Sequence, residues 1–204
     1  MGHRRRRGVA LGALFAVGWM VPSNAPAATV NYIPPPPEDG VCAPLVGGQL
    51  VYVAGGGEKN RVTVTGGYAS VSIDLGSGGP CGYADGVDAG QIVVHDGLAD
   101  VTPTPSCQRV NRHAVQCPWP SSVEIQLGDQ DDALFLGLAG EVRTYVGDIP
   151  GVRLRSANVH AGSGNDTLRV LNGVKDYVIC GTGYDTVLAD LDDALAACEF
   201  VDRA

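Results

Sequence analysis

The chain has 204 residues, 14 of them basic and 22 acidic, which gives a net charge of −8 and a sequence pI near 4.8. That balance excludes nucleic acid as a natural partner, because phosphates call for clusters of lysine and arginine. The only basic run, Arg4–Arg7, opens the chain and is followed by an apolar stretch from Val9 to Val21 and by Ala25-Pro-Ala27. Positive, apolar and small-residue segments in that order predict a signal peptide over 1–28. The apolar run is shorter than the roughly 20 residues a membrane span needs, and no second candidate span follows. The expected product is secreted or held at the cell surface. Removing Arg4–Arg7 would deepen its charge to about −12, a balance that suits cation binding.

Residues 29–41 contain Pro34-Pro-Pro-Pro37, which predicts an extended spacer of polyproline II type. Residues 42–126 read as a β-rich domain, either a sandwich or the lead-in to a solenoid. Short β-branched runs at 50–53, 61–65, 70–75 and 91–94 are separated by glycine clusters, and 62/64 and 71/73/75 alternate as strands buried on one face do. Further alternation at 123–127 and 152–155 extends the strand pattern. The only helix expected is 191–198, with Asp190 as its N-cap and Asp192 and Asp193 in its first turn. It would cap the C-terminal end.

Six cysteines in an exported chain predict disulfides rather than a metal or thiol site, since no C-x-x-C occurs and no cysteine adjoins a histidine. Fifteen pairings are possible. Nearness favours Cys107–Cys117, Cys180–Cys198 and Cys42–Cys81.

The most informative pattern lies in residues 127–204. Leu127-Gly-Asp-Gln-Asp-Asp-Ala-Leu134, Ala161-Gly-Ser-Gly-Asn-Asp-Thr-Leu168 and Cys180-Gly-Thr-Gly-Tyr-Asp-Thr-Val187 share one recipe. A glycine opens each turn, an aspartate stands four residues later, and an apolar residue two beyond it starts a strand. Glycine permits a left-handed turn that gathers carbonyl and carboxylate oxygens, which are ligands suited to Ca²⁺ rather than to Zn²⁺ or copper.

These segments resemble the hemolysin-type (RTX) calcium-binding repeat, G-G-x-G-x-D-x-U-x. The resemblance puts Asp132, Asp166 and Asp185 at the ligand aspartate, and Leu134, Leu168 and Val187 at the buried position. Gly128, Gly162 and Gly181 match the second glycine, and Gly164 and Gly183 the third. The first glycine is replaced throughout, by Leu127, Ala161 and Cys180, and Gln130 replaces the third glycine of the first copy. Segments around 91–128 and the ending from Cys180 to Glu199 are similar to the lead-in and closing segments of secreted actinobacterial repeat proteins.

The family implies an all-β chain in which the N-terminal β-rich region leads into a short parallel β-roll or β-solenoid. It also implies Ca²⁺ ligands among Gly162, Gly164, Asn165, Asp166, Gly181, Gly183, Asp185, Asp129, Asp131 and Asp132. In that arrangement turns two repeats apart share a cation. The 19-residue step from Gly162 to Gly181 agrees. The 34-residue step from Gly128 to Gly162 calls for an intervening degenerate turn, for which Tyr145-Val-Gly-Asp148 is the candidate. The stretch Asp74-Leu-Gly-Ser-Gly-Gly79 reads as a decayed turn, with Pro80 at the ligand position.

Catalysis is not expected. His95, His113 and His160 stand apart, no G-x-S-x-G or H-E-x-x-H occurs, and His95-Asp96 reads as a surface turn. Two other readings remain open beside a calcium-stabilised structural protein. One is an adhesion module for a cell-surface glycan or protein, for which Trp119 and the tyrosines are the available aromatics. The other is a β-helix enzyme acting on polysaccharide.

Overall fold

The computed structural model describes residues 27–35, 47–66, 91–137 and 154–204. These residues are all-β, without a helix, and form two mixed sheets that do not close into a barrel. Expectations that fall on the signal peptide up to residue 26, on the second half of the proline run, on Cys42–Cys81, on 74–80 and on Tyr145–Asp148 lie outside them.

In chain order the strands are β1 (Ala28–Ile33), β2 (Gln49–Val53), β3 (Arg61–Gly66), β4 (Gln91–Asp96), β5 (Val101–Pro103), β6 (Gln108–Asn111), β7 (Ala114–Pro118) and β8 (Ser122–Gln126). They continue with β9 (Ala133–Gly137), β10 (Ser156–Ser163), β11 (Thr167–Arg169), β12 (Tyr177–Thr182), β13 (Thr186–Ala189), β14 (Ala194–Ala196) and β15 (Phe200–Arg203). One sheet has the order β14-β12-β10-β8-β2-β1-β5 and the other β15-β13-β11-β9-β3-β4-β7-β6. From β8 onward the chain alternates between the two sheets, and every pairing among β8 to β15 is parallel.

Alternation in sequence produces this arrangement. Side chains point to opposite faces at every second residue, so Leu50/Tyr52, Val62/Val64, Val123/Ile125, Leu134/Leu136 and Ala157/Val159 all face inward and are buried. A single buried cluster runs from Ala28 to Ala189. β2 pairs in parallel with β8, and β3 with β9. The boundary expected at 126/127 therefore falls inside both sheets, and one core crosses it.

Three expectations are corrected. The stretch read as a spacer opens with β1, in which Ala28, Val30 and Tyr32 are buried between β2 and β5. Its alternation outweighs the prolines that follow it. Among the described residues the first two glycine–aspartate segments are direct neighbours in the stack, because Val123 pairs with Ala157 and Leu134 with Leu168.

The C-terminal helix is also absent. Residues 194–196 form β14, which pairs with β12 through Tyr177↔Ala194 and Ile179↔Ala196. A helix of two turns gains little by itself, whereas the edge of β12 offers unpaired backbone groups. Asp193 also does not act in a helical first turn. Its carboxylate accepts the backbone N–H of Asp176 at 2.8 Å and of Asp190 at 2.8 Å. Arg203 instead ties β15 to the loop before β14, its Nη1 donating to the carbonyls of Asp190, Leu191 and Asp193.

Two of the expected disulfides are present. Cys107–Cys117 ties β7 to the turn before β6, and Cys180–Cys198 ties β12 to the last turn. The second closes a loop with a sequence separation of 18, for which chain entropy gives about 3 kcal/mol. Replacing Cys180 and Cys198 by serine should lower the midpoint of thermal unfolding by about 6–12 °C, as followed by circular dichroism. An unchanged midpoint would show that the terminal turn is held without it.

Candidate cation site

Each of the three glycine–aspartate segments forms the turn that carries the chain from one sheet to the other. Gly128, Gly162 and Gly181 have φ values of 104°, 105° and 109°, a region open to glycine and costly for other residues. Stacking imposes a second requirement. A Cβ on Gly162 or Gly181 would collide with the carbonyl of the equivalent glycine one turn before, Gly128 or Gly162. Gly164 and Gly183 meet the carbonyls of Gln130 and Gly164 in the same way. Gln130 is tolerated because it does not adopt a positive φ, unlike Gly164 and Gly183.

A fourth turn, residues 54–60, precedes these three and was not recognised in the sequence. It links β2 to β3 just as 127–132 links β8 to β9. Its signal is Asn60-Arg-Val62, an asparagine where the others have aspartate, with the apolar residue again two positions on.

One hydrogen-bond pattern joins all of these turns. The backbone N–H of Asn60 donates to Asp132 Oδ1 at 2.7 Å, that of Asp132 to Asp166 Oδ1 at 2.8 Å, and that of Asp166 to Asp185 Oδ1 at 2.8 Å. The N–H of Asp185 donates to Glu199 Oε2 at 2.9 Å. The carboxylates thus form a column along one edge of the sheets, and Asp132, Asp166 and Asp185 are only 2%, 1% and 0% exposed. One oxygen of each is satisfied by the column. The other, Oδ2, is buried and has no hydrogen-bond partner among the described residues at any of the three.

The opposite edge provides an internal comparison. There Asp176 Oδ1 accepts from Ala157 N at 2.6 Å, and its Oδ2 accepts from Asn172 Nδ2 at 2.7 Å. Both oxygens of Asp193 also accept backbone N–H groups. Aspartate columns therefore stand at both edges, but among the described residues the glycine-turn edge alone leaves aspartate oxygens buried and unpartnered. Asp176 and Asp193 were missed because their turns lack the repeated glycine pattern.

The other expected side-chain ligands, Asp129, Asp131 and Asn165, make hydrogen bonds away from the column. Asp129 accepts from Gly57 N at 2.7 Å, Asp131 from the backbone and side-chain nitrogens of Asn165, and Asn165 Oδ1 from Tyr184 N. They join consecutive turns on the exposed side. Among the described residues, no three His, Cys, Asp or Glu side chains group as a metal site. Each of the gaps 132/166 and 166/185 is flanked by two aspartates, and carboxylate oxygen is a hard ligand of the kind Ca²⁺ takes.

Burial raises carboxyls at both edges alike. Burial pushes the Asp132 carboxyl up to about 7, against the pull of the Asn60 N–H, and the Asp166 charge adds to the rise. Burial likewise raises Asp166, and the charges of Asp185 and Asp131 add to it. A bound cation would reverse this by favouring the ionised forms.

His95-Asp96 is not a surface turn. Asp96 ends β4, fully buried, and accepts from Tyr52 Oη at 2.7 Å and from the N–H groups of Arg61, Leu98 and Ala99. It is a structural anchor. No protein-family model matches the chain, and no curated protein or solved structure is detectably similar to it.

The satisfied edge carries a pH dependence. Burial is the main reason the Asp176 carboxyl rises from its ordinary 3.8 to about 7. The folded chain thus keeps a proton that the unfolded chain releases near pH 4. That stability is complete below pH 4 and is lost as the pH rises through 7. With calcium chelated, urea unfolding should show stability falling between pH 4 and pH 7, and D176N should make that fall shallower while the share of Asp132 and Asp166 remains. An equal slope in the variant would contradict the assignment.

Proposed function

We propose that this chain is an exported calcium-binding β protein. In this reading its glycine–aspartate turns, similar to RTX repeats, bind Ca²⁺ along one edge of a short parallel β-roll. The observation that carries it is the row of unpartnered Oδ2 atoms on Asp132, Asp166 and Asp185, set against the fully partnered Asp176 and Asp193. A buried, unpaired carboxylate oxygen is costly, and a shared cation relieves several at once.

The parallel pairing of alternate strands from β8 to β15 supports the roll. The two disulfides suit an oxidising, extracellular setting. With a dissociation constant near 10⁻⁴ M in millimolar calcium, each site would add roughly 1.4 kcal/mol to folding. The role is structural: metal completes the fold after export.

Catalysis is not part of the proposal. His113 is engaged by the Ala99 carbonyl and by Arg112, while His95 and His160 lie on different sheets.

An adhesive role is the second reading. Trp119 is buried, so it offers no platform. The outer face of the β15-to-β6 sheet does carry an exposed ring, Phe135, which lies over Gly137 with the Arg169 guanidinium 5.6 Å from its centre. An aromatic ring beside a fixed guanidinium suits an acidic glycan.

Calorimetric titration of residues 29–204 with calcium tests the first reading. Saturable binding with a higher unfolding temperature is expected in the wild type and should be lost in D166A/D185A. No heat up to several millimolar calcium would end it and direct attention to the Phe135 face.

A further inference from the structure

The column is longer than the part of it equipped for metal. Its members are Asn60, Asp132, Asp166, Asp185 and Glu199, so four gaps separate successive turns. The turn lengths distinguish them. Gln126 to Ala133, His160 to Thr167 and Ile179 to Thr186 are each seven steps between positions paired across the sheets. The equivalent path from Val53 to Arg61 is eight steps, and that from Ala196 to Phe200 only four. Only the gaps 132/166 and 166/185 are bounded by two turns of equal length and by two buried aspartates.

The first gap is occupied by protein. Asn60 Nδ2 points into it, donating to the carbonyl of Leu127 at 3.2 Å, to Glu58 O at 3.0 Å and more weakly to Asp132 Oδ1 at 3.4 Å. Turn carbonyls and a column carboxylate are the atoms that would face a cation in the other gaps. Here a neutral amide supplies the positive end of a dipole in its place. Asn60 is held in that orientation because its Oδ1 lies 3.1 Å from the Tyr52 hydroxyl, which is anchored on buried Asp96. At the far end, the last turn has Ala197 in the left-handed region and an exposed Glu199. It lacks the glycine carbonyls of the longer turns.

We propose that the column binds two calcium ions, one between Asp132 and Asp166 and one between Asp166 and Asp185. Asn60 acts as a built-in substitute for a cation and ends the metal row. This inference rests on the calcium reading above and adds the number of sites, their boundaries and the residue that sets the first boundary. Asp166 is shared, so the two ions depend on one another through it. A carboxylate at position 60 would lack the amide donors and would leave two facing carboxylates in the first gap as in the other two, so that carboxylate pairing rather than turn length decides where metal binds.

Calcium stoichiometry by calorimetry, checked by native mass spectrometry, tests this on the full-length secreted chain. The wild type should bind two ions and N60D three. D132N and D185N should each bind one, because each loses one bounding carboxylate, and D166N should bind none. These asparagine variants keep an acceptor for the column N–H, so they test the count even if N60D fails to fold. A wild type that binds no calcium would overturn the calcium reading itself. A count of one, three or more in the wild type would overturn this inference alone, as would a folded N60D that still binds two or a D166N that still binds one.

Discussion

The structure depends on one repeated contact: the backbone N–H of each turn's polar residue donates to the carboxylate of the turn stacked on it. Parallel strands can stack only if the turns joining the sheets also stack, and stacked turns bring backbone N–H groups into a dry interior where each needs an acceptor. An aspartate at a constant place in each turn meets that need from one layer to the next. The same solution appears at the opposite edge with Asp176 and Asp193. Aspartate columns are thus the framework that sets the register of both sheets, and glycine is required wherever the stacked turns approach too closely for a Cβ.

That framework creates the electrostatic problem from which function follows. A carboxylate has two oxygens, and an N–H from the neighbouring turn satisfies one. Asn172 and further N–H groups take the second oxygens on the Asp176 edge. On the glycine edge they remain unpartnered in Asp132, Asp166 and Asp185, and burial raises the proton affinity of the first two. Protonation at low pH relieves such a column, and a divalent cation at neutral pH is the relief proposed above. The Cys180–Cys198 bond ties the last turn to this edge of the stack.

Much of this was legible in the residues. The spacing from glycine to aspartate to the next apolar residue marked three turns and the strands after them, and two cysteine pairs followed from nearness. The turn at 54–60 was missed because its column residue is an amide; the spacing from Asn60 to Val62 carried the information without the expected carboxylate. The direct stacking of β8 on β10 was hidden by the long insertion between β9 and β10, since sequence distance does not report spatial layers. Residues 191–198 have a convincing helix start, yet an unpaired strand edge outweighs local preference. Asp129, Asp131 and Asn165 have the right chemistry for calcium but sit on the outside of the turns, a distinction that appears only once the stacking is known.

The most direct test of the central claim is a crystal structure of the calcium-loaded protein, with the metal located by its anomalous scattering. The account predicts anomalous peaks within ligand distance of Oδ2 of Asp132, Asp166 and Asp185, with turn carbonyls completing each shell and no peak at Asp176 or Asp193. Crystals grown in millimolar calcium that show no metal on those oxygens, and each Oδ2 instead hydrogen-bonded to protein or water, would contradict it.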